Sequence, residues 1–327
     1  MCTEGLTSDW TLSGKEAKVT ITTTTPGASG ISPGVTFSYT GTGFFILDVT
    51  GAPGAPGGAG GAGNSGTINS TSDGGALVTV TGGSLRTSEE EGPVGGPGNS
   101  GTITLDQGFV VATCGDGFER TETATADGGA GNTGVITAET VEVSGGNGGN
   151  VDYNAYFGLE GTGGAGGAGN TGTINSVRTE AVGGKGGNSR VIEGSIDVTG
   201  GAGGVGNSGT IKAVNPDGSY AEIRGDQGGE GGLTPINSGA GNGGTGGTGN
   251  TKTITGFEYN TNEGGNGGKG ADNTYGVGAG GHGGDGGHGT CGGSVPSAAI
   301  NKGGTGGAGG NGANGVGNPG APGKPTC

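Results

Sequence analysis

His282, Asp285 and His288 offer two imidazoles and a carboxylate at a spacing of three, the residue types of a metal centre. The spacing defeats that chemistry. Glycine fills the places between them, and an extended helix with three residues per turn rises ~3.1 Å per residue. Neighbours then stand about 9 Å apart, too far for one ion whose ligand bonds are about 2 Å. Gly30-Ile31-Ser32-Pro33-Gly34 matches the Gly-x-Ser-x-Gly elbow of hydrolases. That elbow needs the N–H after the serine for its oxyanion hole, and proline has none. A Ser-Pro turn is expected there instead. Gly267-Gly268-Lys269-Gly270-Ala271-Asp272 begins like a calcium-binding nonapeptide, but it occurs once and lacks the later apolar residue. No catalytic residue, metal ligand or cofactor is assigned. Asn69-Ser70-Thr71 is a glycosylation sequon, Glu89–Glu91 reads as a solvated loop, and Thr22–Thr25 follows from strand propensity.

Composition bounds what can position any site. Of 327 residues, 95 are glycine, 27% are hydrophobic and 4% aromatic, too little apolar volume for a conventional core. Ordering so much glycine is costly, so composition alone points to disorder. The regular placement of the glycines points the other way. A net charge of −15 with only 13 Lys and Arg disfavours nucleic acid and anionic membranes as partners. No apolar run is long enough to span a membrane. Cys2, Cys114, Cys291 and Cys327 form no Cys-x-x-Cys pair. An even count in a chain with a poor core predicts two disulfides, an oxidising compartment and a secreted protein. Three connectivities remain open, among them a bridge between the chain ends, and the alternative is that one or more are free thiols. Met1–Gly5 show no leader, so the expectation is either a leader that was removed or a protein that never had one.

Residues 1–50 read as a small β cap. Lys18–Thr22, Val35–Tyr39 and Phe44–Leu47 are strand-like, and Trp10 is expected to pack under them. Residues 51–327 form a glycine-rich repeat domain. Small residues separated by Gly-Gly form rows: Pro53, Pro56, Ala59 and Ala62; Val94 and Pro97; Ala130; Thr162, Ala165 and Ala168; Ala202 and Val205; Asn242, Thr245 and Thr248. Ala59, Val94, Ala130, Ala165, Ala202 and Thr245 recur every 35, 36, 35, 37 and 43 residues, a repeat of about 35. After each row comes Gly-Asn-Ser/Thr-Gly-Thr-Ile or a variant, a turn followed by a strand. A second glycine stretch in each repeat carries polar residues: Asn147 and Asn150; Lys185 and Asn188; Gln227 and Glu230; Asn266 and Lys269.

Gly-Gly-x at three residues per turn puts every x on one stripe and lets glycine backbones approach closely. The expected fold is therefore a glycine-rich polyproline II (polyglycine II) helix bundle, two-layer and antiparallel, with short β-strands and the N-terminal β cap. Small rows would line one flat face and polar rows the other. Collagen fails because the register breaks at each Asn-Ser-Gly turn. The recurring Thr-Ile strands leave a parallel β-solenoid, or a mixed coil, as the rival.

Val277–Gly289, Gly303–Ala308, Asn318–Pro325 and Gly268–Asp272 resemble the snow flea (springtail) antifreeze proteins. That resemblance implies a disulfide-tied polyproline II bundle with a small apolar face adsorbing to ice. The chain departs from the family in its length, its β cap, its strand-like connectors and its acidity. Ice binding is expected at Ala59, Ala62, Val94, Pro97, Ala130, Thr162, Ala165, Ala168, Ala202, Val205, Thr245, Thr248, Thr305 and Ala308. The partner is then an ice surface, in a secreted, non-enzymatic protein. The chain also resembles the glycine-rich adhesins of phage tail-fibre tips. The alternative is thus a virion tail-fibre adhesin for a bacterial surface receptor, with Leu105–Arg120 and Asp152–Leu159 as recognition loops. A structural filament protein is the third option.

Overall fold

Each Asn-turn is followed by a β-branched Thr-Ile strand, and each loop beyond it by a second alternating strand. The structure, a computed structural model, describes residues 4–84, 94–117, 126–154, 161–193, 198–231, 240–273, 279–291 and 299–326. The first strands stack into an eight-stranded parallel sheet. In order these are β1 (Trp10–Leu12), β3 (Thr36–Tyr39), β5 (Thr67–Ser70), β7 (Thr102–Leu105), β9 (Val135–Thr137), β13 (Thr173–Ser176), β17 (Thr210–Ala213) and β19 (Ile254–Thr255). The second strands form a nine-stranded parallel sheet. These are β2 (Ala17–Thr22), β4 (Phe45–Thr50), β6 (Ala76–Thr81), β8 (Gly108–Thr113), β10 (Thr140–Ser144), β14 (Arg178–Val182), β18 (Tyr220–Arg224), β20 (Tyr259–Glu263) and β21 (Ile300–Lys302). Two small parallel pairs, β11 (Val151–Asn154) with β15 (Ser189–Glu193) and β12 (Gly161–Thr162) with β16 (Val198–Thr199), extend the glycine region.

The core lies between the two large sheets and is built one residue per coil. Ile68, Ile103, Ile136, Ile174, Ile211 and Ile254 occupy one register position and are fully buried. Leu47, Val78, Val110 and Val141 face them in register from the other sheet. At the N-terminal end Tyr39 and Phe37 stack on Phe45 with centroids 4.4 and 5.5 Å apart, and Trp10 meets Phe37 edge-on at 5.5 Å. Trp10 lies on the terminal strand and is 37% exposed, so it covers the end of the core rather than lying under it. β1 to β4 belong to the same two sheets as the later repeats.

The expected antiparallel bundle of polyproline II helices is overturned. Among the described residues regular structure is all strand, and every sheet is parallel. The reason is the return path. Each repeat makes one outgoing and one returning pass, so equivalent residues of successive repeats lie side by side and point the same way. A period of three is blind to that longer return.

The glycine stretches extend the coil beyond the core. β14 runs directly into an outgoing stretch at Gly183, and a returning stretch ends at the next Asn, as at Gly206-Asn207. In each stretch one glycine N–H bonds to the next coil, as Gly183 to Arg224 O (2.9 Å) and Gly186 to Gln227 O (2.9 Å). The next glycine N–H bonds across to the other pass, as Gly184 to Gly167 O (2.8 Å) and Gly204 to Gly184 O (2.7 Å). Backbone groups are thereby satisfied without an oily core. A Cβ on Gly184 would strike the carbonyl oxygen of Gly146, so glycine is obligatory there.

The expected pairing of all four cysteines is also overturned. Cys114 is a free, buried thiol that donates to Ser144 O at 3.2 Å. It lies at the end of β8, in the packed interior of the coil. Cys291 follows Thr290 and donates its N–H to Asn250 O at 2.7 Å. Cys2 and Cys327 lie outside the described residues.

Candidate surface-binding face

Returning stretches of successive coils lie parallel, so their x residues form columns. Backbone bonds fix the register: Gly166 donates to Ala202 O, Gly169 to Val205 O, Gly203 to Thr245 O and Gly206 to Thr248 O, at 2.8–3.0 Å. One column runs Ala59, Val94, Asp127, Ala165, Ala202, Thr245. The next runs Ala62, Pro97, Ala130, Ala168, Val205, Thr248. Sequence spacing aligned Ala130 with Val94, but Gly95 donates to Asp127 O and Gly98 to Ala130 O. Ala130 therefore belongs one position along, beside Pro97. Ala62 is 6% exposed and presents little surface, whereas Val94 is 44% exposed. Thr162 is exposed at the start of a returning stretch. Thr305 and Ala308 lie in the other layer, accepting N–H bonds from Gly267 and Gly270. They neighbour Asn266 and Lys269 and do not join the small-residue columns.

Asn242 N–H bonds the Val198 carbonyl, but along the two small-residue columns the outward N–H of each x residue has no backbone partner, and its fate depends on the coil before it. Where the preceding residue is Asp, Asn or His, a side chain takes the bond: Ala165 N–H donates to Asp127 Oδ1 (2.7 Å), and His282 N–H to Asn242 Oδ1 (2.9 Å). Asn318 and Lys324 N–H likewise donate to Nδ1 of His282 and His288, both at 2.9 Å, and Ala321 N–H to Asp285 Oδ1 at 2.7 Å. The three residues with a metal-like spacing are thus capping residues for the final returning stretch. Where the preceding residue is Ala, Pro or Val, no such acceptor exists. Among the described residues, the N–H groups of Ala130, Ala168, Ala202, Val205, Thr245 and Thr248 have no protein partner. This patch presents methyl groups and unclaimed donors at a regular interval, close to the strand spacing of about 4.8 Å.

The returning layer leads through the buried Asn into the eight-stranded sheet, whose outer face continues the same side. Thr36, Thr67, Thr102, Val135, Thr173 and Thr210 form one outward column there. Ser38, Asn69, Thr104, Thr137, Asn175 and Lys212 form the next. Sequence reasoning missed these hydroxyl columns. Their signal is the recurrent Thr of Gly-Thr-Ile, which locally marks only a strand after a turn.

The other side of the molecule is charged. Glu142, Glu180 and Glu222 stack in register on the nine-stranded sheet. Burial, then the charge of Glu180, raises the Glu142 carboxyl above its ordinary range. Arg224 bonds Glu180 and lies 3.4 Å from Glu222, and Lys302 reaches Glu263 at 2.8 Å. These pairs are part-exposed and contribute little stability, but they keep this side hydrated.

The two suggested recognition loops fare differently along their length. Gly108–Thr113 is a sheet strand, with Val110 and Ala112 fully buried. Val151–Asn154 pairs with β15. Residues 118–125 and 155–160 lie outside the described residues, as do Glu89–Glu91. Among the described residues no cluster of three or more His, Cys, Asp or Glu occurs that could hold a metal ion, and no helix is long and apolar enough to cross a membrane.

No protein-family model matches the chain, and no curated protein matches it. Among solved structures the chain is similar to an antifreeze protein of the springtail Granisotoma rainieri, described as a bundle of nine polyproline type II helices whose crystal waters match the ice lattice. Identity is 32%, covering 52% of this chain and 96% of that one, with a TM-score of 0.16. At that TM-score the likeness carries neither fold nor function across.

Proposed function

We propose that this protein binds ice, adsorbing through the side formed by the returning glycine layer. The observation that carries this is the row of unclaimed N–H groups on Ala130, Ala168, Ala202, Val205, Thr245 and Thr248, repeated at one position per coil. Small side chains leave a bound water layer in place, and evenly spaced donors and methyls order it. Ice is a solid whose surface repeats, so a rigid array with a constant step gains contacts additively. The hydroxyl columns on the adjoining sheet widen the same side. The charged opposite side holds its own hydration and stays in liquid water. No residue reacts and no cofactor takes part.

The test is thermal hysteresis and ice recrystallisation with the purified full chain. A freezing gap that grows with protein concentration, and faceted crystals within it, are expected. Absence of both at about millimolar protein sinks the proposal, since affinities weaker than that are of no use at a surface.

A further inference from the structure

The outgoing glycine layer, on the opposite side, holds a shallow polar groove of about 360 Å³ lined by Asn147, Asn150, Lys185, Asn188, Gln227 and Glu230. The fold orients its amides. Asn147 Oδ1 accepts Lys185 N–H at 3.1 Å, Asn150 Oδ1 accepts Asn188 N–H at 2.8 Å, and Asn188 Oδ1 accepts Glu230 N–H at 2.8 Å. A backbone N–H can meet only the oxygen end of an amide, so these bonds fix which end faces out. The Nδ2 donors of all three exposed asparagines are left to solvent, held in place by bonds they do not themselves make.

Between these donors stand acceptors. Gln227 and Glu230 line the same groove, and the charges of Lys185 and Glu230 offset each other. Sugar hydroxyls donate and accept at once, so they need both kinds of group. A phosphate or sulfate chain needs excess positive charge, which the lining lacks. A lipid or drug-like ligand needs apolar walls, and there are none. Successive coils repeat the columns at about 4.8 Å. Beyond Gln227 a second polar groove of about 330 Å³ continues past Asn266 to Thr305. A ligand that follows this path is long and extended.

We propose that the groove binds a neutral, hydroxyl-rich glycan strand lying along the stack of coils. The site is separate from the ice-binding side and does not depend on it. The test is calorimetric titration of the full chain with cellohexaose, maltohexaose and chitohexaose, beside a sulfated hexasaccharide. At least one neutral hexasaccharide should bind. Asn150→Asp with Asn188→Asp should then weaken binding at least tenfold while melting and ice activity stay unchanged. Aspartate keeps the capping oxygen and puts a charged acceptor where the donor was. Asp116 and Asp272 already cap the N–H groups of Asn147 and Asn311 in this way. Gln227→Ala, which disturbs no cap, should weaken binding several-fold and covers the case in which the double variant misfolds. No binding of any neutral hexasaccharide at about 5 mM, tighter binding of the sulfated one, or indifference to these substitutions overturns the proposal.

Discussion

Asn132 donates from Nδ2 to Oδ1 of Asn170 at 2.8 Å, and both side chains are fully buried. The bond is one rung of a continuous ladder. Asn64, Asn99, Asn132, Asn170 and Asn207 each donate to the next at 2.7–2.8 Å, the last to Asn250. Each also closes its own turn, as Asn132 Oδ1 accepts Gly134 N–H and Nδ2 donates to Gly134 O. Buried amides are tolerated only when satisfied, and here each interior member is satisfied by its two neighbours and its own turn. The ladder marks where the close-packed glycine layers give way to the wider sheet region, and it locks successive coils in register.

Asn132→Ala should therefore cost more than one hydrogen bond. It leaves Asn170 Oδ1 and the Gly134 N–H without these partners and removes one of the two bonds of Asn99 Nδ2, at about 1–3 kcal/mol for each buried group left unpaired. A loss of about 3 kcal/mol or more is expected in chemical denaturation. Asn175→Ala, at an outward position, should cost under about 1 kcal/mol. Equal losses in the two variants would refute the ladder's role.

Gly184→Ala should open the glycine sandwich. The added methyl meets the Gly146 carbonyl of the preceding coil, with backbone on every side and no flexible atom to yield. Overpacking of this kind costs about 1–3 kcal/mol even in adaptable cores, and more is expected between fixed backbones. Gly58→Ala, whose nearest neighbour would lie at 3.4 Å, should be close to neutral. Melting temperature and amide exchange at Gly204, which donates to Gly184 O, give the comparison.

The Cys114 thiol should be inert in the folded protein. Burial, then the nearby Asp116 charge, pushes it from 9.0 to about 12. That shift leaves a thiolate fraction roughly a thousandfold smaller at pH 8 than in the unfolded chain. Alkylation should proceed only as fast as the chain opens. Because the folded value is raised, the associated stability is complete below about pH 9.0 and declines as pH rises toward 12. Cys114→Ala should abolish that part of the alkaline decline, and an unchanged profile would show that the thiol is not its source.

Ala202→Tyr and Thr245→Tyr each place a large ring on the small-residue columns. Either should remove most thermal hysteresis without lowering the melting temperature, since both positions are exposed. Gln227→Tyr, an exposed position in the other layer, should leave it intact. Equal loss from both sides would mean that neither side is the ice-binding one.

Much of the local structure was legible in the sequence. Lys18–Thr22, Thr36–Tyr39 and the Thr-Ile segments are strands because β-branched and aromatic residues alternate there. The Asn of each Gly-Asn-Ser/Thr-Gly segment marked a turn, but nothing local revealed that its side chain is buried and bonded to its counterpart about 35 residues away. The same limit explains Ala130. Counting from one glycine run to the next gave a plausible alignment, yet the bond from Gly98 to Ala130 O sets the register one triplet away. It also explains Cys114, whose even-numbered company implied a partner that its burial denies.

The sequence by itself determined the repeat, the glycine positions and the alternation of small with polar residues, because these follow from steric demands within a few residues. The tertiary structure decided that the passes stack in parallel, which residues share a column, and which outward N–H groups remain unclaimed. Those depend on contacts between coils, where one hydrogen bond connects residues that are far apart along the chain.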